Sequence, residues 1–201
     1  PFAGHPSVGA AWAAVMHGLA TPRGGCLVQQ CAAGLLPVQV EGDADRLRIA
    51  VRSPRARKLE ELAPPLPAGL AGIAQPRQPA ALWNNGPSWW LVEAASAERL
   101  RNFKPDFAAI AEWTNASAAT GVAIFAHETL DGHDLAVRAF CPGDAVGVPE
   151  DPVTGSANAV IAAWLNEQHR LPHGDGCYTA SQGRELGRDG RVTVRVDEDG
   201  E

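Results

Sequence analysis

Long apolar runs, clustered cations and paired cysteines are all missing from this 201-residue chain. No apolar stretch approaches the roughly 20 residues that a bilayer-spanning helix needs, so no membrane span is expected. No signal-peptide pattern is visible at the start. With 17 Lys and Arg against 23 Asp and Glu, the formal net charge is -6, a poor match to a polyanionic partner. The nearest approach to a basic run, RSPRARK from Arg52 to Lys58, is broken by Ser53, Pro54 and Ala56 and reads as a solvated loop. Nucleic acid is therefore not expected as a partner. The four cysteines, Cys26, Cys31, Cys141 and Cys177, form no CxxC pair, which argues against a zinc site. They read as free, buried or partly buried thiols of a cytoplasmic protein. No metal is expected.

What is present is an ordinary globular balance, 45% apolar and 20% charged, in a length sufficient for one large domain or two small ones. Within it lies an internal repeat. Residues 5–16 read HPSVGAAWAAVM and residues 151–162 read DPVTGSANAVIA. Without gaps, His5 faces Asp151, Pro6 faces Pro152, Gly9 faces Gly155 and Ala10 faces Ser156. Each copy is an ionisable residue, Pro, two residues, Gly, a small residue and an Ala-rich helical run.

Proline disfavours the helical region in the residue before it, so both His5 and Asp151 are expected on extended backbone at a turn. The helices that follow each present unsatisfied N–H groups and a positive dipole end, suited to a carboxylate or phosphate. Two such termini, each beside an acid–base residue, suggest a pseudo-two-fold pocket holding an anionic substrate between two halves. Taken singly, His5 reads as a structural histidine and Asp151 as a helix-start acid. Only the duplication points towards function.

The rest of the chain reads as strands around a helix, twice over, an α+β arrangement. Residues 25–41 break at Gly34 into a strand pair, and 46–52 alternate as a half-buried strand. A short helix is expected at Lys58–Leu62 within a Pro- and Ala-rich stretch, 53–81, that reads as a domain boundary. Strands are expected at 88–93, 121–127, 134–140, 177–182 and 191–196, and helices at 96–103 and 105–114. The expected domains are 1–80 and 81–201, the last strands allowed to return towards the first domain. The start at Pro1, without Met and inside a motif, reads as a lost N-terminus, and the stop after a strand leaves the C-terminus open as well.

The blocks PFAGHPSVGAAW (1–12) and RAFCPGDAVGVPEDPVTGSANA (138–159) resemble the two signature blocks of the PhzF-type phenazine-biosynthesis family of isomerases. NNGPSWWLVE (84–93) and SQGRELGRDGRVTVRV (181–196) fit the same family, in order, so the resemblance spans nearly the whole chain. It implies the diaminopimelate epimerase-like fold: two pseudo-symmetric domains, each a curved sheet wrapped around a central helix, with the active site between them. It also implies a homodimer and no cofactor. Carried over residue by residue, it assigns Gly4, His5, Asp151, Gly155 and Ser156 to the pocket. His5 and Asp151 then stand as catalytic groups, and Gly4, Gly155 and Ser156 as binding groups for a small carboxylate-bearing metabolite. The family's principal acid–base Glu lies upstream of the GHP block, where this chain does not reach, and Glu150 and Glu41 are poor stand-ins. The expected activity is an isomerase that moves a proton at carbon. Its rivals are a ligand-binding relative without turnover and a two-cysteine racemase or epimerase on the same fold.

Overall fold

The computed structural model describes residues 4–32, 34–42, 46–59, 64–129, 131–143 and 148–197. The chain separates into two compact units, Pro1–Arg55 and Ala56–Glu201.

In the first unit, helix α1 (Gly4–Met16) packs on a three-stranded antiparallel sheet, β1 (Cys26–Cys31), β2 (Gly34–Glu41) and β3 (Arg48–Val51), in that order. The hairpin break falls at Gly34, whose φ of 107° is open to glycine and strained for other residues. Alternation along β2 buries Leu36, Val38 and Val40 and exposes the residues between them, the period-2 signature of a one-sided sheet.

The second unit is built on an eight-stranded mixed sheet. Its strands are β4 (Arg57–Leu59), β5 (Ala81–Asn84), β6 (Ser88–Glu93), β7 (Gly121–His127), β8 (Leu135–Phe140), β9 (Glu150–Asp151), β10 (Cys177–Gln182) and β11 (Gly190–Arg195). The order is β11-β10-β8-β7-β6-β5-β4, with β9 paired to β8. The β6/β7 and β8/β10 pairs are parallel and the others antiparallel. Parallel neighbours need a crossover. Helices α3 (Ala97–Asn102) and α4 (Phe107–Asn115) supply the first, and α5 (Gly155–Glu167) the second.

The two crossovers cover opposite faces. Trp89, Leu91, Ala123 and Phe125 face α5, while Trp90, Val92, Val122 and Ile124 pack with Leu100 of α3 and with Ile110 and Trp113 of α4. Strands β6 to β8 are therefore buried on both sides, which is why SWWLVE and GVAIFAH read as apolar runs without alternation. Helix α5 buries Ala157, Val160, Ile161, Ala162, Trp164 and Leu165, apolar around most of its girth, as a helix enclosed by a curved sheet must be. Phe125 and Trp164 meet edge to face at 5.3 Å, and Trp90 and Trp113 stack tilted at 5.1 Å. Helices α3 and α4 open on side-chain caps: Ser96 accepts from the Arg99 N–H and Asp106 from the Ala109 N–H.

The structure departs from the sequence expectations in three places. The segment expected to be helical from Lys58 is strand β4 up to Leu59, since its backbone pairs with β5 from Arg57↔Asn84 to Leu59↔Leu82; residues 60–63 lie outside the described residues. A helix instead forms later in the Pro-rich stretch, α2 (Ala68–Ile73), and Leu70 anchors it in the core of the second unit. The described residues of 56–80 thus belong to the second unit rather than the first, as do β10 and β11. Finally, α1 begins at Gly4, so exposed His5 lies in its first turn and not on extended backbone. Pro6 allows this because a first-turn N–H has no intrahelical acceptor to lose. Asp151, on β9, is extended as expected.

Candidate active site

The second unit assembles three of the four motif blocks around the start of α5. Asp151 enters on β9, which pairs Glu150 with Phe140 and Asp151 with Ala139 of β8. The strand is anchored by Arg138, 3% exposed, whose guanidinium grips the Glu150 carboxylate in two bonds of 2.8 and 2.9 Å. The same guanidinium donates to the Leu100 and Phe103 carbonyls and lies 5.0 Å from the Phe140 ring centre. A fork-to-fork pair with two further donors satisfied tolerates burial. A second pair lies close by. Arg101 binds Glu128 at 2.7 Å, Glu185 at 3.1 Å and the Ser181 hydroxyl at 3.0 Å. Burial acts to lower the Arg101 pKa, but the Glu128 and Glu185 carboxylates outweigh it and the net direction is up.

From Asp151 the chain runs into α5 through Thr154, the residue at the N-cap position. A Thr there ordinarily turns its hydroxyl back on the first-turn N–H groups. Here Thr154 makes no such bond; its hydroxyl meets Asp151 Oδ2 at 2.7 Å. The α5 N-terminus therefore lacks a side-chain cap, and the Gly155, Ser156 and Ala157 N–H groups have no intrahelical acceptor. Asp151 Oδ1 accepts from the Val153 N–H at 3.3 Å.

Two further segments hold this loop. From 84–93, the Trp89 indole donates to the Ser156 hydroxyl at 3.2 Å and Asn85 donates to the Ser156 carbonyl at 3.0 Å. Since the Ser156 oxygen accepts from Trp89, its own hydrogen stays available to a ligand. From 181–196, fully buried Gln182 bonds to Asp151, Thr154 and Asn158. Gly183, at φ 88°, lets the strand pass under Pro152: a first side-chain carbon there would stand 2.6 Å from the Pro152 carbonyl oxygen.

Of the residues expected at the site, Asp151, Gly155 and Ser156 come together in the second unit. Gly4 and His5 open α1 in the first unit. Thr154, Gln182, Trp89 and Asn85 were assigned no role from sequence, although all four lie within the quoted motif blocks. Cys141, beside the loop, is buried and its thiol is pushed up to about 12, first by burial and then by the Asp151 charge. The four cysteines are free. Among the described residues no group of three or more His, Cys, Asp or Glu is placed to hold a metal ion, and no helix is long and apolar enough to cross a membrane.

Known proteins match the chain along its whole length. A family model described as phenazine biosynthesis-like protein covers residues 1–201. The trans-2,3-dihydro-3-hydroxyanthranilate isomerase of Pseudomonas aeruginosa is 30% identical over 208 residues, covering 100% of this chain and 68% of that protein. The Schizosaccharomyces pombe protein antisense-enhancing sequence 1 is 28% identical, over 98% of this chain and 67% of its own length. In three dimensions, a PhzF-family phenazine biosynthesis protein from Bacillus anthracis superposes with a TM-score of 0.78 at 22% identity, over 98% of this chain and 69% of that one. A hydroxyproline epimerase from Agrobacterium vitis shares the fold at a TM-score of 0.61 and 15% identity. From its whole-length match, its motif blocks and its fold, the chain belongs to the phenazine biosynthesis-like (PhzF) family.

Proposed function

We propose that this protein is a cofactor-independent isomerase that moves a proton at carbon in a small carboxylate-bearing metabolite. One observation carries the reading: Thr154 turns its hydroxyl away from the helix it precedes, leaving the α5 N-terminus uncapped beside an acid–base residue. Free N–H groups and the positive dipole end suit a carboxylate, and they stabilise the negative charge that develops as a C–H proton leaves. The start of α1, with Gly4 and His5, is a second helix N-terminus beside an ionisable residue.

The family resemblance puts the principal base, a Glu, upstream of the GHP block, and no residue of this sequence is assigned that role. The reaction removes a proton from one carbon and returns it to another carbon or to the opposite face. Asp151 serves as a second acid–base or orienting group, and His5 as a hydrogen-bond partner or shuttle. Gly155 and Ser156 bind through backbone N–H groups, with the Ser156 hydroxyl as a further donor. The names of relatives support the isomerase class: one is a trans-2,3-dihydro-3-hydroxyanthranilate isomerase and others are called uncharacterized isomerases. The family resemblance further assigns a homodimer, and the unpaired cysteines suit a cytoplasmic protein.

The test is solvent exchange. The intact protein is incubated in D2O with trans-2,3-dihydro-3-hydroxyanthranilate and a panel of small carboxylates, and loss of C–H proton signals is followed by NMR. Enzyme-dependent loss in at least one compound is expected. Thermal stabilisation by these compounds without exchange in any of them would favour a ligand-binding relative instead. The two-cysteine mechanism finds no support at this site. Neither turn carries a cysteine, and at neutral pH the Cys141 thiol stays protonated, whereas such a mechanism needs a thiolate base. Exchange activity is expected to survive iodoacetamide treatment; its abolition would revive the thiol mechanism.

A further inference from the structure

Resting on the acid–base role given to Asp151 above, we propose that Gln182 is a positioning residue. Through Thr154 it fixes Asp151 Oδ2 as a hydrogen-bond acceptor and leaves Oδ1 as the oxygen that takes up and releases the proton.

The argument begins from two backbone groups whose roles cannot be exchanged. The Thr154 N–H can only donate, so the Gln182 atom 3.1 Å from it is the carbonyl oxygen Oε1. The Asp151 backbone carbonyl can only accept, so the Gln182 atom 2.8 Å from it is the amide nitrogen Nε2. Asn158 agrees independently: its Nδ2 donates to the Thr154 carbonyl at 2.9 Å, and the same nitrogen meets Gln182 Oε1 at 3.0 Å. The orientation of the buried carboxamide follows from its neighbours. Its second N–H then has one destination, Thr154 Oγ1 at 2.9 Å.

A threonine hydroxyl has one hydrogen. With Oγ1 accepting from Gln182, that hydrogen is directed to Asp151 Oδ2 at 2.7 Å. The opposite direction, a protonated Oδ2 donating to Thr154, would leave the threonine hydrogen without a partner in this network, an unfavourable arrangement away from water. Oδ2 therefore receives a short, charge-assisted bond, and protonating it would weaken that bond. Among the described residues, Oδ1 receives only the 3.3 Å contact from the Val153 N–H and keeps its remaining lone pair. Thr154 Oγ1 thus donates to Asp151 and accepts from Gln182, and it makes no bond to the first-turn N–H groups of α5.

Neutron diffraction from deuterium-exchanged crystals of the intact protein tests the assignment without a substrate. The expected map shows a deuteron on Thr154 Oγ1 pointing at Asp151 Oδ2, and the two Gln182 deuterons pointing at the Asp151 carbonyl and at Thr154 Oγ1. A deuteron on Asp151 Oδ2, or a reversed carboxamide, overturns it. With a compound that exchanges, Gln182→Met is expected to lower kcat about tenfold at unchanged KM, and Thr154→Ser, which keeps the hydroxyl, to stay near the parent rate. A raised KM at unchanged kcat would mark uniform binding and count against positioning. Full exchange in Asp151→Asn would overturn the acid–base reading while the neutron map still decides the hydrogen-bond direction.

Discussion

Arg138→Met is expected to destabilise the protein by about 3–5 kcal/mol, the usual cost of removing one partner of a buried ion pair. Arg138 and Glu150 are 3% and 6% exposed, so without the guanidinium the carboxylate remains in a site that water does not reach. The Leu100 and Phe103 carbonyls each lose a donor as well, at the end of α3, Leu100 keeping the Phe103 N–H. Glu150 is the β9 neighbour of Asp151, so the loss also loosens the strand that presents the site. Urea unfolding of the parent, Arg138→Met and the double variant Arg138→Met/Glu150→Gln checks the cause. The double variant should recover part of the loss, because a neutral amide is cheaper to bury than a carboxylate. A single variant with unchanged midpoint would show that the pair contributes no net stability.

Asp151→Asn is expected to slow substrate–solvent exchange by about a hundredfold, the lower end of what a positioned acid–base group contributes. The amide is nearly isosteric but has one acceptor oxygen where the carboxylate has two. If its oxygen keeps the Val153 N–H, its nitrogen faces Thr154 Oγ1 and displaces the hydroxyl hydrogen directed there. Thermal unfolding should change little beside the fall in rate, since Asp151 is only half-buried. A rate within twofold of the parent would remove Asp151 from the chemistry.

Much of this architecture was legible because local signals and tertiary environment agree. Gly34 marks the hairpin, Ser96 opens the helix expected at 96–103, and the alternation read over 46–52 is that of strand β3. Strands β4 and β5 carried no comparable signal. Each is three or four residues long, and Arg57–Leu59 becomes a strand because β5 offers it an edge, not because RKL prefers one. At His5 the proline rule was a bias that the first turn of α1 overrode.

The same division runs through the site. The sequence by itself determined the family and the repeated Pro-x-x-Gly motif, with Asp151 and the small residues at the start of α5 as site candidates, since these are chemical identities at short spacing along one segment. Only the tertiary structure decided that the Thr154 hydroxyl donates to Asp151 and accepts from Gln182, that Trp89 and Asn85 hold Ser156, and that Gln182 orients the loop from 28 residues away. The physical reason is that a hydrogen-bond direction depends on every donor and acceptor around it. Here those come from β6, β10 and the β9–α5 loop, which meet only once the sheet has curved around α5.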